Sequence, residues 1–109
     1  MTVTKNIEFV FSSADGKKAA DIFTEETRLR LSSSDGPSGK SRVIFEDNSI
    51  LSEDEYEILC SENEITVYAS GIRGFIFGIG HFLRKAVLRD NELSLIEDIS
   101  GKYSPEKKI

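Results

Sequence analysis

The chain has no tryptophan, one cysteine, one histidine, one methionine and two prolines among its 109 residues. Each scarcity excludes something. Cys60 alone permits neither an internal disulfide nor a cysteine-rich zinc site. With His81 as the sole histidine, a two-histidine metal site is ruled out within one chain, and no catalytic set of the Ser-His-Asp or Cys-His kind is offered. No apolar run approaches the roughly 18 residues of a membrane span. The N-terminal MTVTKNIEFVF lacks the apolar core and small-residue cleavage site of a signal peptide. The expectation is a cytoplasmic protein, or a mature or excised piece of an exported parent.

What is present is ordinary for a soluble fold. Hydrophobic residues make up 39% and charged residues 30% of the chain. Fourteen basic against nineteen acidic side chains leave a net charge of −5, and the Lys and Arg are dispersed. A broad nucleic-acid surface needs clustered positive charge, so that class is disfavoured. The late group Lys102, Lys107 and Lys108 reads as a solvated tail. The length fits one domain, which would bury roughly 65% of its unfolded surface.

Alternation of Ile7, Phe9 and Phe11 predicts a half-buried first strand over residues 6–12. Ser13 to Gly16 reads as a turn with Asp15 as helix cap. A first helix follows over residues 17–31, with Ala19, Ile22, Phe23 and Leu29 or Leu31 inward. The run SSSDGPSGKS over residues 32–41 reads as a flexible loop, and Val43 to Phe45 as a short strand. Tyr56, Ile58 and Cys60 then alternate against Ile65, Val67 and Ala69 across Ser61, Glu62 and Asn63, the pattern of a hairpin. A second helix is predicted over residues 73–88, followed by a turn at Asp90-Asn91 and an extended segment over residues 92–99. Beyond Gly101 the chain reads as tail or linker. Two amphipathic helices and about five strands predict an α+β fold, a two-layer α/β sandwich with a mixed sheet and both helices on one face.

The second helix carries the most information. Its apolar positions recur at Ile72, Phe75/Ile76, Ile79, Phe82/Leu83 and Ala86/Val87, one buried face. Yet Gly71, Gly74, Gly78 and Gly80 interrupt the segment, and each glycine inside a helix costs about 1 kcal/mol relative to alanine. Close approach of the helix backbone to a sheet is the simplest compensation.

Candidate chemistry is sparse. Gly39-Lys40-Ser41 suggests a phosphate loop, but it leads into a strand and position 34 is Ser rather than Gly. Gly71, Gly74 and Gly78 with Arg73 could cradle an anion at a helix start, although the spacing is not that of a dinucleotide fingerprint. Glu53, Asp54, Glu55, Glu62 and Glu64 crowd the hairpin in polar, turn-like sequence, where general acid–base work would want a dry pocket. Glu46-Asp47-Asn48 lacks the order of a calcium loop. Cys60 reads as a buried, inert thiol and His81 as a structural histidine. No cofactor or metal is expected.

Ile65-x-Val67, a small turn, Gly71, Arg73-Gly74, Phe77-Gly78 and Phe82-Leu83-Arg84 together form a pattern that resembles a known accessory domain. It is similar to the N-terminal non-catalytic α/β domain of large glycoside hydrolases, notably the family 67 α-glucuronidase N-terminus and its family 20 hexosaminidase counterpart. The order of strands and helices agrees over most of the chain, although about two dozen residues carry the specific motif. Ile96-Glu97-Asp98 and Tyr103-Ser104-Pro105 are similar to the segment by which such domains enter a catalytic (β/α)8 barrel. The resemblance implies a zinc-protease-like fold without the metal centre, and catalytic carboxylates that lie in the barrel and map onto no residue here. It also implies that Gly71, Arg73, Gly74, Gly78, Phe82, Leu83 and Arg84 serve packing.

Residues 1–101 would then form the accessory domain and residues 102–109 the start of a linker, with the parent's barrel as partner. A carbohydrate-binding module is the alternative, weakened by the missing tryptophan and the scattered Tyr56, Tyr68 and Tyr103. An independent small cytoplasmic enzyme or interaction protein is the third expectation.

Overall fold

A computed structural model describes residues 2–3, 7–30, 40–89 and 92–104, without the side chains of residues 28–30. The elements run β1 (Thr2–Val3), β2 (Ile7–Phe11), α1 (Ala14–Arg30), β3 (Ser41–Asp47), β4 (Tyr56–Cys60), β5 (Glu64–Ala69), α2 (Ile72–Lys85), β6 (Ala86–Arg89), β7 (Glu92–Leu95) and β8 (Gly101–Tyr103). Five strands form a mixed sheet in the order β2-β3-β5-β4-β8. β2, β3 and β5 run parallel, whereas β4 and β8 are antiparallel to their neighbours. The two helices touch each other and lie together against this sheet, the two-layer α+β sandwich expected. A second sheet, β1-β7-β6, is antiparallel, and its Val3 and Leu93 join the common core.

Side-chain alternation decides which face is buried. Val43 and Phe45 on β3, Ile58 on β4, and Ile65, Val67 and Ala69 on β5 are buried beneath the helices. The opposite face carries Glu8, Arg42, Glu57 and Lys102 among others. There Arg42 lies 3.9 Å from Glu8 and 3.6 Å from Glu64. The hairpin register sets Tyr56, Ile58 and Cys60 directly opposite Ala69, Val67 and Ile65, the two alternating sets read from the sequence. Phe45 is the hub of the core, with ring centroids 6.4 Å from Phe9, 6.4 Å from Phe23 and 5.5 Å from Phe75.

Four boundaries differ from expectation. The helix α1 begins at Ala14, because Ser13 rather than Asp15 caps it: the Gly16 amide donates to Ser13 Oγ at 3.0 Å. The strand β3 is longer than residues 43–45, since both its neighbours pair with it over most of its length. The helix α2 stops at Lys85 instead of Leu88. Ala86 turns extended (φ −76°, ψ 144°), and residues 86–89 pair antiparallel with β7, Ala86 opposite Leu95 and Arg89 opposite Glu92. Gly101 to Tyr103, read as tail, is a strand whose backbone pairs with β4, Tyr103 opposite Tyr56. Gly101 has φ +151°, a conformation that side-chain-bearing residues rarely adopt. Most of the loop expected over residues 32–41, the turn expected at Asp90-Asn91, the last five residues, Leu31 and the side chain of Leu29 lie outside the described residues.

Candidate functional site

The residues singled out in α2 divide between its two faces. Gly74 and Gly78 face the sheet. A Cβ on Gly74 would stand 2.6 Å from the Glu55 carbonyl oxygen, and one on Gly78 would stand 2.7 Å from Val67 Cγ1. Gly80 instead faces only the Arg84 guanidinium at 3.3 Å. Gly71 is the N-cap, in extended backbone, where a Cβ would meet only Asp15 Oδ2, at an ordinary 3.7 Å. The close approach expected at four glycines therefore occurs at two. Phe82 is fully buried against Phe23 (centroids 5.7 Å apart), and Leu83 is buried beside it.

Arg73 does not present itself to an anion. Its Nε donates to Asp54 Oδ1 at 2.7 Å, Glu53 lies 4.0 Å away, and the guanidinium sits 5.9 Å from the Phe77 ring centre. The acidic residues near the hairpin are either paired locally or exposed. Glu55 accepts from the Ser52 amide at 2.8 Å, Glu64 faces Arg42, and Glu53 and Glu62 are exposed. Asp47 accepts from Ser13 Oγ, and Asn48 Oδ1 accepts from the Ile50 amide. Among the described residues no three His, Cys, Asp or Glu side chains are placed to hold a metal ion. No helix among them is long and apolar enough to cross a membrane. Lys40-Ser41 leads into β3, not into a helix, so a phosphate loop of that type is not formed.

Two features stand out. One is interior: the Tyr56 hydroxyl lies 2.9 Å from His81 Nδ1, with the Tyr103 ring edge-on to the imidazole. Burial, then Arg84 and Lys85, hold His81 below the ordinary histidine range, and burial raises the Tyr56 phenol. Cys60 is half-buried and its thiol is pushed up, first by burial and then by Asp98, which favours the inert protonated form. The other feature is external. Ile22 and Glu26 of α1 and Ile76, Ile79, Gly80, Leu83 and Arg84 of α2 line a groove of about 330 Å³ between the two helices. Ile76 is 44% exposed there. Periodicity in the sequence could have found this groove, because Ile76 and Gly80 sit one helical turn apart beside the buried stripe. The Tyr56–His81 contact had no local signal.

No family model matches the chain, and no curated protein matches it. Solved structures do. A GH20 exo-β-N-acetylglucosaminidase from Vibrio harveyi, in complex with N-acetylglucosamine, superposes with a TM-score of 0.70 at 19% identity, covering 85% of this chain and 15% of that one. The Flavobacterium johnsoniae chitobiase superposes with a TM-score of 0.60 at 14% identity, covering 94% of this chain and 17% of its own. The chain thus has the fold of one small segment of these GH20 enzymes and spans about a sixth of their length.

Proposed function

We propose that this chain is a non-catalytic accessory domain of a larger carbohydrate-active enzyme, a glycoside hydrolase, and that it packs against and stabilises a catalytic (β/α)8 barrel. The observation that carries this reading is the asymmetry of the structural match, nearly the whole of this chain against 15–17% of the GH20 chains. The chemistry of the described residues agrees with it, since the ionisable side chains near the hairpin are exposed or engaged in local pairs. The groove between α1 and α2 is the surface that suits a barrel: it is mainly aliphatic, and Glu26 and Arg84 flank it. The motif residues of α2 would then hold that helix at a fixed height above the sheet, Gly74 and Gly78 from below and Phe82 and Leu83 from the α1 side.

Carbohydrate binding by the domain itself finds less support. Tyr56 is buried and stacked on Tyr103, and the Tyr103 hydroxyl donates to the Ile99 carbonyl. Tyr56 is therefore unavailable as a sugar platform, and Tyr103 has one ring face covered by it.

The reading frame that surrounds the coding segment tests the proposal directly. A continuous downstream (β/α)8 unit is expected, and the chain by itself should not hydrolyse p-nitrophenyl β-N-acetylglucosaminide. A frame without a barrel, or turnover by this chain alone, overturns it.

A further inference from the structure

His81 is the only histidine of the chain and is 9% exposed, enclosed where three elements meet. It projects from α2, with Tyr56 of β4 bonded to its Nδ1. Tyr103 of β8 lies edge-to-face on it, ring centres 4.3 Å apart and planes at 77°. Tyr56 and Tyr103 stack on each other at 5.5 Å. β8 is three residues long and outermost in the sheet among the described residues, and these two ring contacts add to the backbone pairing that holds it. Its backbone register with β4 spans only Ile58 to Tyr56.

The direction of this hydrogen bond follows the imidazole tautomer. His81 Nδ1 is the only partner of the Tyr56 hydroxyl among the described residues, so the hydroxyl proton is satisfied when Nδ1 accepts it, which requires a neutral imidazole. Protonation turns Nδ1 into a donor. The hydroxyl must then accept, its own proton loses its acceptor, and a charge appears in a buried site. The groups facing the ring are Tyr56 from β4, Tyr103 from β8, and Arg84 and Lys85 from α2 itself. Both cations repel an imidazolium, although Lys85 is drawn toward Glu97 at 3.4 Å.

We propose that His81 is an acid-sensitive latch on β8: neutral, it holds the β4–β8 edge closed through Tyr56 and Tyr103, and once protonated it loosens that strand. Burial and the two neighbouring cations place release below the ordinary histidine range. The latch does not depend on the accessory-domain reading. If that reading also holds, β8 is the strand from which the polypeptide continues toward the barrel, and acidity would act on the interdomain junction.

Amide hydrogen exchange on this chain at pH 7.5 and 5.0, corrected for intrinsic rates, tests the latch. The protection of those β8 amides that bond to β4, alternate residues in an antiparallel pair, should fall about tenfold at the lower pH, the ratio expected for loss of a buried hydrogen bond, while β3 and β5 stay protected. The single imidazole resonance should titrate in step with the Tyr103 ring signals. In a chain carrying both His81→Phe and Tyr56→Phe, which keeps the rings and removes the polar pair, β8 protection should not depend on pH over this range. An imidazole that titrates without any change at β8 overturns the latch. So does an imidazole that stays neutral with β8 fully protected at pH 5.0, or a pH response that survives in the double variant.

Discussion

Gly74 of α2 and Ala69 of β5 approach so closely that a Cβ on the glycine would lie 2.7 Å from the alanine Cβ, with the Glu55 carbonyl oxygen nearer still at 2.6 Å. Neither obstacle is the far end of a flexible side chain. Gly74→Ala should therefore destabilise the domain by about 1–3 kcal/mol, since forcing atoms into a packed seam outweighs the gain in helix propensity. Urea denaturation of the variant measures it.

Gly80→Ala should do the opposite. Its new methyl group meets only the end of the Arg84 side chain, which can swing toward solvent. The helix propensity gain of about 0.5–1 kcal/mol should then appear as a raised denaturation midpoint. Two glycines six residues apart on one helix would thus give shifts of opposite sign.

Truncation at the aromatic hub should be severe. Phe45 is 1% exposed and packs against Phe9, Phe23 and Phe75. Phe45→Ala should cost about 3–5 kcal/mol, enough to leave a domain of this size largely unfolded in calorimetry.

Ile76→Glu separates the docking surface from the fold. Because Ile76 is 44% exposed in the groove, the variant should leave the isolated domain within about 0.5 kcal/mol of its original stability. In the parent enzyme the same charge would be buried at the barrel contact and should lower the melting temperature of the whole protein. Equal melting temperatures for the two parents would remove the groove from consideration as the contact.

Stability should fall toward both acid and alkali. His81 is held below its ordinary value of 6.5 in the fold, so the unfolded chain binds the proton first and stability drops as pH falls below about 6.5. Asp98, lowered by its bonds to Ser100, adds a second loss as pH falls below its ordinary 3.8. Cys60 and Tyr56 are raised above their ordinary 9.0 and 10.0, so the unfolded chain releases those protons first and stability declines as pH rises past these values. Denaturation midpoints across the pH range check the dome, and the paired His81→Phe, Tyr56→Phe chain should lose the limb near pH 6.

Much of this architecture was readable from local pattern. Ile7, Phe9 and Phe11, the paired sets Tyr56/Ile58/Cys60 and Ile65/Val67/Ala69, and the helical stripe from Ile72 to Leu83 all repeat with the period of the element they form. The end of α2 was not readable, because Ala86 and Val87 continue a helical spacing and equally suit a strand. Nor was β8, whose three residues carry no period of their own. Of the candidate site, the glycine contacts were anticipated as a class, but nothing in the sequence separates Gly74 and Gly78 from Gly80.

The order of residues alone determined an α+β chain with two amphipathic helices and a hairpin, since period, composition and turn chemistry act over a few neighbours. Only the tertiary structure decided where α2 gives way to β6, that residues 101–103 close the sheet, and that Tyr56 meets His81 across 25 positions of chain. Those outcomes turn on which distant partner satisfies a backbone or hydroxyl group, and a local pattern carries no record of that partner.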